Sequence, residues 1–144
     1  MDPKGGTELQ FDELKKRLPE HYWEKINITT SIPEKTPIQK GRLNILWIKN
    51  SYDQPNVKPW FEKPENHIKY DWYIFNSHWT FEKYRLYFNV PTSRCRVIKN
   101  ALPTRQWLQK AIYKKDQPLR LIHCSTPWRG LNVLLTAMHY VKHR

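Results

Sequence analysis

Residues 43–48 read LNILWI, an apolar run broken only by Asn44. A strand with one wet face would alternate apolar and polar residues. A run this short and this continuous is instead the pattern of a strand covered on both faces, as in a parallel sheet. Working outward, the same pattern recurs downstream in DWYIFN at 71–76, RVI at 96–98 and LRLIHC at 119–124. Upstream, KINITT at 25–30 alternates and is rich in β-branched residues, which predicts another strand.

Helical patterns lie between these strands. Residues 8–18 place Leu9, Phe11, Leu14 and Leu18 in an apolar stripe that Pro19 ends. Residues 80–88 form a second helix, with Ser77 as its N-cap. Residues 131–143 form a third, with Leu131, Leu134, Leu135, Met138 and Val141 on one face. Residues 31–41 and 51–59 are punctuated by Pro and Gly and read as loops, while 60–67 has room for a helical turn. Alternation of strands and helices along the whole chain predicts an α/β fold, a parallel sheet with helices packed against it.

The 39% hydrophobic and 14% aromatic content supports a packed core. Cys95 and Cys124 have no metal-ligand spacing and suggest no disulfide framework, so they read as small core residues of a reducing compartment. No apolar run has membrane-spanning length, and the start, MDPKGGTEL, is not that of a signal peptide. The expected location is therefore cytoplasmic. Charge is uneven: residues 1–72 hold 12 Lys and Arg against 11 Asp and Glu, whereas residues 73–144 hold 13 against 2. The basic half attracts phosphate, in a nucleic acid, at a membrane surface or in a nucleotide.

Four motifs are candidates for chemistry. Gly5, Gly6 and Thr7 open the first helix, where backbone N–H groups favour an anion; a flexible tail entering a helix explains the same residues. Ser125, Thr126, Arg129 and Gly130 lie between a strand and a helix, where ligands sit in open α/β sheets. Arg129 is suited to bidentate contact with a diphosphate, and an ordinary Thr N-cap followed by Pro fits there too. Asn76, Ser77, His78 and Trp79 follow a buried strand. His78 is a candidate general base, although a surface histidine is the commoner case. Asp53, in SYDQP after LNILWI, is a candidate for sugar hydroxyls that turn chemistry explains equally well.

These pieces, in this order, resemble the GT-B glycosyltransferases, and more narrowly the glycosyltransferase-4-like proteins of phage and other viral genomes. GGTELQFDELKKRLP, NILWIKNSYDQP, DWYIFNSHWTFEKYRLYFNVPTSRCRVIKNALP and PLRLIHCSTPWRGLNVLLTAM carry the resemblance. It implies a Rossmann-like N-terminal, acceptor-side domain at 1–103, a linker at 104–118 and the start of a nucleotide-sugar-binding domain at 119–144. It also implies a UDP- or GDP-sugar donor, a glycan or other hydroxyl acceptor, and no obligatory metal or other cofactor. Arg129, Gly130, Ser125 and Thr126 would hold the donor diphosphate, and Gly5, Gly6 and Thr7 would line the phosphate and acceptor cleft.

The chain departs from that pattern in three places. The His-Asp pair that many relatives carry after the third strand is Lys49-Asn50 here. The strand before the glycine loop is reduced or missing. Nothing after Gly130 supplies the acidic E-x7-E segment, so the resemblance implies a truncated enzyme, or a non-catalytic remnant that self-associates through its last helix. Catalytic residues are not specified beyond the candidates His78 and Asp53. A basic nucleic-acid-binding protein, with Trp79, Tyr84, Tyr87, Trp107 and Trp128 interleaved among cations, is the alternative from another class.

Overall fold

The computed structural model describes residues 5–100, 123 and 130–142. Contacts divide the chain into two units, Met1–Pro103 and Thr104–Arg144. In the first unit the elements run α1 (Gly6–Arg17), α2 (Glu20–Trp23), β1 (Ile26–Thr30), β2 (Leu43–Ile48), α3 (Lys58–Phe61), a 3-10 helix (Pro64–Ile68), β3 (Trp72–Phe75), α4 (His78–Phe88), a second 3-10 helix (Thr92–Arg94) and β4 (Cys95–Val97). In the second unit α5 covers Leu131–Lys142. The strand expected at 119–124 and the linker at 104–118 fall, His123 apart, outside the described residues.

The four strands form one all-parallel sheet in the order β1-β2-β3-β4. The architecture is α/β and Rossmann-like, as the alternation predicts. Strand order follows chain order, so connections of one hand return across one face of the sheet. That face carries Leu46, Ile48, Tyr73, Phe75 and Cys95, and it packs against Val57, Phe61, Tyr84 and Phe88 from the β2–β3 and β3–β4 connections. Phe61 is the centre of this core. Its ring meets Tyr84 edge-on at 4.8 Å and stacks with Phe88 at 5.6 Å. Such aromatic pairs add specific geometry to the area they bury.

The β1–β2 connection contains no helix. Polar side chains on the covered face tie its backbone down instead. Asn27 donates to Pro37 O at 2.9 Å, Thr29 donates to Thr36 O at 3.4 Å, and Asn44 donates to both Gln39 O and Arg42 O. A helix would have satisfied its own carbonyls; an irregular segment over a sheet must find outside donors. Asn27, Thr29 and Asn44 are accordingly buried, at 6%, 0% and 6% exposure.

The opposite face bears Ile26, Ile28, Ile45, Trp47, Trp72 and Ile74, all half-buried. It is flanked by α1 and α2, where Phe11 meets Trp23 edge-on at 6.0 Å. No residue of α1 is fully buried. Leu9, expected in the packed stripe, is 54% exposed, because this helix covers its face of the sheet only in part. Helix α4 is better anchored. Ser77 Oγ accepts from Thr80 N at 3.1 Å, as the sequence predicts for an N-cap, and Asn89 ends the helix in the left-handed region at φ 52°. In α5, Leu131, Leu134 and Met138 are half-buried, whereas Leu135 and Val141, expected on the same face, are 61% and 62% exposed.

Candidate functional site

In a parallel sheet the carboxyl ends of all strands lie along one edge, and the loops that leave that edge gather side chains from distant parts of the chain. Here the edge holds Lys49 and Asn50 after β2, Asn76 and Ser77 after β3, and Asn100 beyond β4. Lys49 is the residue that joins them. Its Nζ donates to Gln10 Oε1 of α1 at 2.5 Å and to Asn100 Oδ1 at 2.8 Å, and it lies 3.6 Å from the centre of the Trp47 ring. Its partners are two neutral amides and an aromatic face, and it forms no ion pair with a described carboxylate. Burial pushes its ammonium down from the ordinary 10.5 to about 8.

The Lys49–Gln10 contact seats the first turns of α1 beside the end of β2. Gly5 and Gly6 therefore open α1 at the carboxyl edge of the sheet, both exposed. Gly5 adopts φ −80°, so neither it nor Gly6 is required by a left-handed backbone. A Cβ at Gly6 would meet nothing within 4 Å, and one at Gly5 would meet only the end of the flexible Glu8 side chain at 2.8 Å. Thr7 is half-buried in the first turn. The glycines thus leave open space at an N–H-rich helix start, without a conformational need of their own.

The Asn76-Ser77 motif is committed to capping. Thr80 Oγ1 donates to Asn76 Oδ1 at 3.0 Å and lies 2.8 Å from Ser77 Oγ. His78, the first residue of α4, is exposed and makes no hydrogen bond among the described residues. Asp53 is exposed in the turn after β2, next to Tyr52. In the second unit Gly130 precedes α5 at φ +92°, a backbone that favours glycine, and its carbonyl accepts the first helical bond from Leu134 N at 3.0 Å. Ser125, Thr126 and Arg129 lie outside the described residues.

A groove of about 760 Å³ in the first unit runs along β1 beneath α1 and α2, lined by Phe11, Trp23, Ile26, Ile28 and Arg42 among others. No sequence-predicted site residue lines it. Its floor reaches the amino end of β1, away from Lys49, and it records the partial cover that α1 gives this face. His67, unassigned by sequence, is buried, and its Nε2 lies 2.9 Å from Phe61 O. A carbonyl only accepts, so Nε2 carries the proton and the ring serves the core.

Sequence reasoning passed over Lys49, Gln10 and Asn100. The available signal was a cation directly after a nearly continuous apolar strand. No helix among the described residues is long and apolar enough to cross a membrane. No protein-family model matches the chain, and neither a curated protein nor a solved structure matches it at a significant level.

Proposed function

We propose that this chain belongs to a GT-B-type glycosyltransferase that moves a sugar from a nucleoside diphosphate to an acceptor hydroxyl. Residues 1–103 are its acceptor-side unit and residues 119–144 the start of its donor unit. The reading is supported by the Lys49–Gln10 contact, which holds the glycine start of α1 at the carboxyl edge of a parallel sheet. In the reaction the bond from the sugar's anomeric carbon to the phosphate oxygen breaks, and a bond to the acceptor oxygen forms. The acceptor proton leaves to a base, for which Asp53 and His78 are the candidates. The departing diphosphate gathers negative charge, which Arg129 and the helix start at Gly130 would stabilise.

The test is calorimetric titration of the full chain with UDP- and GDP-sugars, for the wild type and for Arg129→Ala. Saturable binding to one donor class that falls about tenfold or more in the variant supports the proposal. Binding that Arg129→Ala leaves unchanged removes the diphosphate role. An absence of binding to every donor, together with tight oligonucleotide binding that falls steeply with salt, would establish the nucleic-acid alternative.

A further inference from the structure

The outward face of α4 carries a group of side chains that the fold does not need. The inward face, Thr80, Tyr84 and Phe88, is buried in the core. On the outside, Trp79 and Tyr87 are 58% and 59% exposed, with Lys83 midway between them on the same face. Tyr52, from the loop after β2, stacks on Tyr87 with centroids 4.3 Å apart and planes at 27°. Lys83 Nζ stands 5.8, 5.7 and 5.8 Å from the ring centres of Tyr52, Trp79 and Tyr87. Among the described residues no carboxylate pairs with Lys83, since its neighbour Glu82 is taken by Arg85 at 2.7 Å. Asp53 follows Tyr52 in the same loop and is exposed.

Tyr52 and Tyr87, held by one another, and Trp79, beside the central ammonium, make a surface with less side-chain entropy to lose on binding than free rings would have. A pyranose offers such a surface a face of C–H groups, attracted to the negative face of an aromatic ring, and a rim of hydroxyls. Lys83 can donate to those hydroxyls and Asp53 can accept from them. A nucleic-acid strand would also stack, but each nucleotide adds a phosphate that needs a cation. On α4 the one other Lys or Arg, Arg85, is already paired with Glu82. One unpaired ammonium beside a carboxylate favours a neutral polyhydroxyl ligand over a polyanion.

We propose that Tyr52, Asp53, Trp79, Lys83 and Tyr87 form a binding platform for an uncharged oligosaccharide. The binding stands on this geometry alone; its role as the acceptor site rests on the glycosyltransferase reading. The test titrates the full chain with cellohexaose, maltohexaose and chitohexaose, and separately with oligothymidylate, by calorimetry and by the indole N–H resonances. Expected is saturable binding to at least one hexasaccharide, weakened about tenfold or more by Trp79→Ala and by Tyr87→Ala, with the thermal midpoint of each variant close to wild type. Binding of none of the three sugars, sugar binding that neither variant weakens, or binding of oligothymidylate alone would each overturn the platform. Sugar binding in a chain that binds no nucleotide-sugar would keep the platform and refute the glycosyltransferase. Donor binding without sugar binding would do the reverse.

Discussion

Asn27 and Asn44 are register partners on adjacent parallel strands, and their side chains bond to each other, Asn27 Nδ2 donating to Asn44 Oδ1 at 2.8 Å. Asn44 Oδ1 also accepts from Gln39 N, and its amide nitrogen donates to Gln39 O and Arg42 O, so its side chain meets four partners while 6% exposed. Asn44→Ala would leave buried donors and carbonyls unpaired, which costs about 3 kcal/mol. Urea unfolding should show that loss. The double variant with Asn27→Ala should fall short of the sum of the singles, because the two amides share a bond. Strict additivity would show that the two side chains act separately.

Tyr84 tests the aromatic core on the same face of the sheet. Its ring is fully buried beside Phe61, and its hydroxyl donates to Asn50 O at 3.2 Å, the carbonyl next to Lys49. Tyr84→Phe keeps the ring and removes one neutral hydrogen bond, an expected loss of about 1 kcal/mol. Tyr84→Ala opens a cavity in the aromatic core and should cost about 3–5 kcal/mol. Equal losses in the two variants would mean that the hydroxyl, not the ring, carries the stabilisation.

Lys49 gives a signed pH dependence. Unfolded, it keeps its proton up to about 10.5; folded, burial lets it go near 8. Between those values the unfolded chain binds more protons, so stability rises with pH. Burial raises the Cys95 thiol from 9.0 to about 11, and this acts in the opposite sense, because the unfolded thiol ionises first. Tyr73 and Tyr84, also raised by burial, add to the fall at higher pH. The wild type should therefore gain stability above pH 8, level off once Cys95 enters above pH 9, and fall above about pH 10 as the tyrosines enter. Lys49→Met should lack the gain, and Cys95→Ala should extend it upward. Parallel stability curves for wild type and Lys49→Met between pH 8 and 9 would refute a depressed lysine.

Gly6 separates helix start from ligand contact. Alanine fits there without collision, and its higher helix propensity should stabilise α1 by up to about 1 kcal/mol. If the N–H groups at this end face a phosphate, the added methyl should weaken nucleotide-sugar binding while the thermal midpoint rises. A rise in midpoint with unchanged affinity would leave Gly6 as a helix start and no more.

Several features were legible in the residues themselves. LNILWI and DWYIFN read as buried strands because their apolar residues are nearly continuous, and the two pair in parallel. Ser77 read as a cap because a short hydroxyl before a helix has one strong use. The strand and helix periods need only local sequence, since each is set by backbone geometry over a few residues.

The choice of faces was not legible in this way. Alternation in KINITT, taken alone, points Ile26 and Ile28 inward, yet Asn27 and Thr29 occupy the covered face. The reason lies in residues 36–42, whose carbonyls cross that face without a helix and need donors from it. Lys49 likewise gained its meaning from Gln10, 39 residues earlier, and Asn100, 51 residues later. Tyr52 met Tyr87 only when α4 returned beside the loop after β2. Among the described residues, local sequence alone determined where β1 to β4 and the helices α1, α4 and α5 lie. Tertiary structure decided which side chains answer one another, because hydrogen-bond partners and desolvation are properties of the folded neighbourhood and not of the residue.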